Sequence, residues 1–314
     1  MTRRSPAALI AAALALILLA ASCAPPPPRE RAADHPLIDR IWSSAEGRFV
    51  TSAELLDRMA AARFVLLGEV HDNPRHHQLQ AWAVKALAER NRKLSLVAEM
   101  IAADQAPGLA LFEAEPRTRA ASLATFLNWA QSGWPDFVLY EPIFDAAVRA
   151  GFPLVPGNLD RSMVPAMHRA GLAALPEADR QRLGLEKGVP DEAARILGRS
   201  IAEAHCGIFG ADSEDKLARF VAIQYARDAV MARAMADAAG DDGAILIAGA
   251  GHVRRDAGVP HHLARMGVPG KVVAIAFVEA AADRAAPQDY DENADYLWFT
   301  GGPERADPCA AVSP

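Results

Sequence analysis

Four short apolar runs each end abruptly on polar residues, and that pattern constrains the fold more than any other feature of the chain. Phe64 to Leu67 runs into Gly68-Glu69-Val70-His71, and Leu94 to Ala98 into Glu99. Pro153 to Pro156 runs into Gly157-Asn158-Leu159-Asp160, and Ile245 to Ala248 into Gly249-Ala250-Gly251-His252. Strands that are apolar throughout belong to a sheet covered on both faces, usually a parallel one. In open α/β sheets the loops beyond the carboxyl ends of such strands carry the ligand-binding groups. The chemistry of this chain is therefore expected along one sheet edge.

The segments between these runs have helical spacing. Helices are expected at 52–62, with Thr51 or Ser52 as cap, and at 74–90, where Asp72-Asn73-Pro74 is a start signal. Further helices are read at 104–115, 117–130 and 142–150, with Gly133-Trp134-Pro135 as a break. The longest spans 213–239, and a short one surrounds His261 to Met266. A lead-in covers 34–50, a fifth strand lies at 271–278, and 290–302 is read as an added edge strand. Alternating strands and helices predict an α/β domain at 36–285, a mostly parallel central sheet flanked by helices, with a helical insertion at about 161–215. Residues 286–314 are expected as a C-terminal extension.

Arg3 and Arg4 precede an apolar stretch from Ala7 to Ala21, which reads as a signal peptide over 1–22. Ala20-Ala21-Ser22-Cys23 has the form of a bacterial lipobox, in which Cys23 becomes the lipidated first residue; an ordinary signal with a chance cysteine is the other reading. Pro25 to Pro28 then makes residues 23–35 a stiff tether from the membrane. The expected location is the bacterial cell envelope, periplasm-facing or on the outer surface. Cys206 and Cys309 remain in an oxidising compartment and are expected to form one disulfide, two separate thiols being the alternative. Removing the signal takes the formal charge from −6 to −8, which argues against nucleic acid as a partner. Apolar residues make up 51% of the chain, so global disorder is excluded.

Glu69 and His71 flank one residue and point the same way on an extended segment, while Gly68 permits a sharp exit from the strand. Glu99 and His252 end neighbouring runs. Two carboxylates and two imidazoles can bind a divalent metal ion or serve as acid and base; they can equally bond one another and hold the loops. His76 and His77 fall in the first turn of a helix, exposed by default, where an anionic group is a natural contact. Gly249-Ala250-Gly251 lacks the rest of a dinucleotide fingerprint.

Taken together, several segments resemble the ChaN-like haem-binding lipoproteins. They are Leu67-Gly68-Glu69-Val70-His71-Asp72-Asn73 with His76-His77, Ala98-Glu99-Met100, Tyr140-Glu141-Pro142-Ile143, Gly157-Asn158-Leu159, Asp228 with Met231-Ala232, and Ala248 to Val253 followed by Gly258-Val259-Pro260. The resemblance implies a non-enzymatic haem-binding lipoprotein of the envelope, acting in haem and iron acquisition as a homodimer with two haems face to face. It further implies a tyrosine ligand to iron, with Tyr140 first and Tyr225 second, and propionate contacts from His76, His77 or Lys85. Arg227 stands where the family pattern has an aromatic residue before the aspartate. The wider Tiki and erythromycin-esterase-like superfamily implies an alternative, a metal-dependent hydrolase or protease holding its ion on Glu69, His71, Glu99 and His252.

Overall fold

The computed structural model describes residues 30–31, 34–115, 119–209, 213–306 and 309–310. The segment expected as a signal peptide, Cys23 and the proline run lie outside the described residues. In chain order the elements begin with β1 (Glu30–Arg31), β2 (Ile41–Ser43), β3 (Arg48–Val50), α1 (Ser52–Ala60), β4 (Phe64–Glu69), α2 (Pro74–Glu89) and β5 (Ser95–Ala102). Next come α3 (Ala106–Ala114), α4 (Ala120–Phe126), α5 (Phe137–Ala150), β6 (Leu154–Asn158), α6 (Met163–Ala170), α7 (Glu177–Leu183) and α8 (Asp191–Ala204). The chain ends with α9 (Glu214–Ala238), β7 (Ala244–Gly249), α10 (Val259–Arg265), β8 (Val272–Glu279), β9 (Tyr296–Thr300) and β10 (Gly302–Pro303).

Eight strands form one sheet in the order β3-β2-β9-β8-β4-β7-β5-β6; strands β4 to β9 are parallel to one another, and β2 and β3 pair antiparallel. The α/β class and mostly parallel sheet expected from the apolar runs are present. Val65 and Leu67 enter the core on one face of the sheet, while Phe64 and Leu66 enter the core on the other. That alternation, with every residue of β4 buried, is why the run is apolar throughout. The first core packs beneath α2 and α5, and the second beneath the C-terminal half of α9 and α10. The helical insertion has a third core, in which Met167, Leu183, Ile196, Leu197 and Ile201 close over the N-terminal half of α9.

Three expectations change. Residues 290–302 do not add an edge strand: β9 lies between β8 and β2, so the segment expected as an extension from 286 completes the middle of the sheet. The lead-in at 34–50 supplies the antiparallel hairpin β2–β3 at the true edge. The helix expected from Pro142 begins at Phe137, where the Asp136 side chain accepts from the Val138 N–H at 3.1 Å. Pro142 sits inside that helix and leaves the carbonyl of Val138 without its helical donor. Cys206 and Cys309 are joined, their Cα atoms 5.4 Å apart. Among the described residues no helix is long and apolar enough to cross a membrane.

Candidate functional site

Register places the site. Glu69 at the end of β4 pairs with Gly249 at the end of β7, and Ala98 of β5 pairs with Ile247 of β7. Strand β7 thus lies between the two carboxylate-bearing strands, and Glu69, His71, Glu99 and His252 converge around Gly249. Gly68 is a glycine for a different reason than the exit from a strand. A Cβ there would stand 2.5 Å from Val253 Cγ2 and 2.8 Å from Ala250 Cα, so the loop after β7 packs directly on its backbone.

Two buried polar groups share the edge. In the first, Glu69 Oε1 accepts from His71 Nδ1 at 2.9 Å and, more weakly, from the Tyr140 hydroxyl at 3.4 Å. His77 Nδ1 lies 2.6 Å from Glu69 Oε2, off the ideal hydrogen-bond direction, and its Nε2 donates to the His71 carbonyl at 2.9 Å. A carbonyl can only accept, so Nε2 carries a hydrogen. Burial lowers the pKa of His71, but the Glu69 hydrogen bond and the charges of Glu99 and Glu69 outweigh it, leaving the group above its ordinary value.

In the second group, Glu99 Oε1 accepts from Arg227 Nη2 at 2.8 Å and faces His252 Nε2 at 3.2 Å, while Oε2 accepts from the Gly249 N–H at 2.8 Å. His252 Nδ1 bonds Asp228 Oδ1 at 2.7 Å. Burial opposes charge on His252, yet the two carboxylates raise its pKa to about 10. Burial raises Asp228 to about 6, only partly offset by His252. Burial also opposes ionisation of Glu99, but His252 and Arg227 hold it well below the usual carboxylate range. Arg227 additionally donates to Asn158 at the end of β6 and to Gln224, tying a third strand end into the group.

The other expected site residues lie elsewhere. His76 and His77 are not exposed first-turn groups; both are buried. Val70 N–H donates to His76 Nδ1 at 2.9 Å, His76 Nε2 meets Thr300 Oγ1 at 2.8 Å, and burial pulls its pKa down to about 3. An uncharged, doubly bonded imidazole cannot receive a propionate. Lys85 lines a groove between α2 and α5 that contains none of the strand-end residues. Tyr140 is fully buried, with its ring against His77 and Trp129 and its hydroxyl aimed at Glu69 and the His71 carbonyl. Burial, followed by the charge of Glu69, raises its pKa. Tyr225 is also buried, against His262.

Nor do the four strand-end residues form a ready metal site. Among the described residues no group of three His, Cys, Asp or Glu side chains is arranged to hold a metal ion. The donor chemistry explains this: Glu99 is engaged by Arg227, His252 and Gly249, and both nitrogens of His252 face carboxylates. Two residues of the site, Trp134 and His205, carry no site signal in the sequence, and Arg227 shows there only as a departure from the family pattern. Trp134 meets the His71 ring edge-on at 5.0 Å. His205 lines, with His71 and His252, a cavity of about 360 Å³ whose far wall is Ile196, Leu197 and Ile201 of α8. A polar cavity of about 570 Å³ adjoins it, sharing Ile196, Ser200 and Arg254 and adding Arg195 and Arg199.

A family model described as haem-binding uptake, Tiki superfamily, ChaN, matches residues 55–263. Among solved structures, one of cofacial heme binding to ChaN of Campylobacter jejuni superposes with a TM-score of 0.65 at 20% identity, covering 82% of this chain and 95% of that one. The type III effector HopBA1 is similar at 17% identity, over 79% of this chain and 92% of its own, with a TM-score of 0.43. A mutant of the erythromycin esterase EreC in its open conformation is similar at 17% identity, over 82% and 80%, with a TM-score of 0.41. No curated protein sequence matches the chain.

Proposed function

Because the chain belongs to the haem-binding uptake family ChaN of the Tiki superfamily, we propose that it is a haem-binding lipoprotein of the bacterial envelope, anchored through Cys23 and acting in haem and iron acquisition. One observation carries this reading: the matched region, 55–263, contains every residue of the strand-end site. The cavity beside that site suits the cargo. Its aliphatic wall on α8 fits a porphyrin face, and the arginines of the adjoining cavity, Arg195, Arg199 and Arg254, fit propionates. Arg195 and Arg254 are held by Glu192 and Asp256, so exchange of partners is needed there. Haem, when bound, supplies iron and a broad apolar plane; the chain supplies an anchored edge to receive it.

Titration of the purified protein with hemin tests the reading. Saturable binding with a shifted Soret band is expected, together with a homodimer in sedimentation and radiolabelled fatty acid on Cys23 that Cys23→Ser removes. A wild-type protein whose added hemin keeps the spectrum of free hemin would refute the haem assignment.

A further inference from the structure

We propose that the sheet edge carrying the strand-end site is a membrane-facing surface whose partner is the lipid bilayer; this rests on the anchoring through Cys23 proposed above. Two independent features of the fold point the same way. One is where the chain leaves the domain toward Cys23, and the other is where exposed apolar side chains stand.

Strand β1 lies outside the main sheet. Glu30 and Arg31 pair antiparallel with Pro303 and Gly302 of β10, which begins one residue beyond the carboxyl end of β9. This ribbon is fastened to the loop that bears His71. Asn73 Nδ2 donates to the Gly301 carbonyl at 3.0 Å and, at the end of β8, to Glu279 Oε1 at 2.7 Å. Gly302 approaches that carboxylate so closely that a Cβ would stand 2.4 Å from Glu279 Cδ. Arg305 donates to Asp72, the residue after His71, through Nε and Nη2 at 2.6 Å each, and to Glu279 at 2.7 and 2.8 Å. Cys23 lies seven residues before Glu30, and seven residues span at most roughly 25 Å. The amino ends of the strands lie about 20 Å further off, the length of the six-residue β4. An anchor at Cys23 therefore draws the site edge to the lipid surface ahead of the opposite edge.

Among the described residues the exposed large hydrophobic side chains are Leu111, Val138 and Ile208. Two of them belong to the site edge. Val138 is in the first turn of α5, which starts at that edge because the helix runs back to the amino end of β6. Trp134, shortly before it, is half-buried against His71. Ile208 follows His205, which lines the site cavity, and Cys206, where the C-terminal tail is joined to the end of α8. Tryptophan favours the layer between water and lipid, and the two aliphatic side chains gain by leaving water there.

Energy transfer from a fluorophore on the protein to acceptor-labelled phosphatidylcholine vesicles tests the orientation. The full-length protein, as lipidated by the cell, carries the fluorophore on Ala282→Cys, in the exposed loop after β8, or on Lys93→Cys, at the exposed opposite edge before β5. Cys206 and Cys309 are joined to each other and do not compete for the label. Transfer from position 282 should exceed that from position 93 by about twofold or more, given roughly 20 Å of strand between the two edges. Cys23→Ser should abolish transfer from both positions. Equal transfer from the two positions, or more from position 93, in protein that associates with the vesicles overturns the orientation while leaving the anchor and haem binding standing. Failure of the wild type to associate with vesicles, or unchanged transfer in Cys23→Ser, overturns the anchor reading itself.

Discussion

Replacing His252 by glutamine should flatten the alkaline pH dependence of stability. The imidazolium is buried between Glu99 and Asp228, which raise its pKa from 6.5 to about 10 against the opposing effect of burial. Between those two values the folded state holds a proton that the unfolded chain has released, so stability falls as pH rises. The contribution is fully present below 6.5 and is gone once pH has passed about 10. Within the window one group changes the unfolding free energy by ~1.4 kcal/mol per pH unit, or about 3 kcal/mol from about pH 7 to about pH 9. His71 contributes with the same sign in both proteins, and in the variant it also loses the opposing charge of His252. Urea unfolding at several pH values, followed by tryptophan fluorescence, should give a steeper decline for wild type than for His252→Gln. The variant should also be less stable at neutral pH by roughly 3–5 kcal/mol, because Asp228 loses its buried partner. Parallel pH profiles would refute a charged His252.

Three further substitutions probe the surroundings. Gly249→Ala places a methyl group 3.0 Å from His71 Cε1, so hemin titration should show weaker binding in a protein whose far-ultraviolet dichroism is unchanged. Tyr140→Phe removes two long hydrogen bonds at 3.4 and 3.3 Å, and urea unfolding should show a loss of about 1 kcal/mol or less. Cys206→Ser opens a loop closed across 103 residues, for which a stability loss of roughly 2–4 kcal/mol is expected in thermal or urea unfolding.

The location of the site is legible in the sequence because parallel strands end in register. Glu69, Glu99 and His252 converge once β4, β5 and β7 are neighbours, whichever order they take. That β7 separates β4 from β5 is not legible, since strand order depends on contacts distant in sequence. Exposure at His76 and His77 comes out opposite to the expectation, although a signal is present. His76, His77, Gln80, Ala83, Val84 and Leu87 recur at helical spacing, and all are buried on α2. The start signal at Asn73 and Pro74 marks a first turn, but the apolar face that includes this turn determines its burial. Arg227 stands out in the sequence only as a departure from a family pattern. Its spacing from Gln224 and Asp228 puts it beside both on α9, where it meets Glu99.

Charge balance explains why so polar an edge leaves so little chemistry open. Glu69, Glu99 and Asp228 are buried, and an unpaired carboxylate in such a place is strongly destabilising. Arg227 and His252 answer that requirement for Glu99 and Asp228, so these groups are engaged with one another before any ligand arrives. Their mutual fixation has a directional result. Glu69, held from behind by His77 and Tyr140, fixes one nitrogen of His71 and leaves the other at the cavity. Interior substitutions should therefore register mainly in stability and substitutions of His71 mainly in ligand binding, because its side chain is 39% exposed whereas those of Glu69, Glu99 and Asp228 are buried.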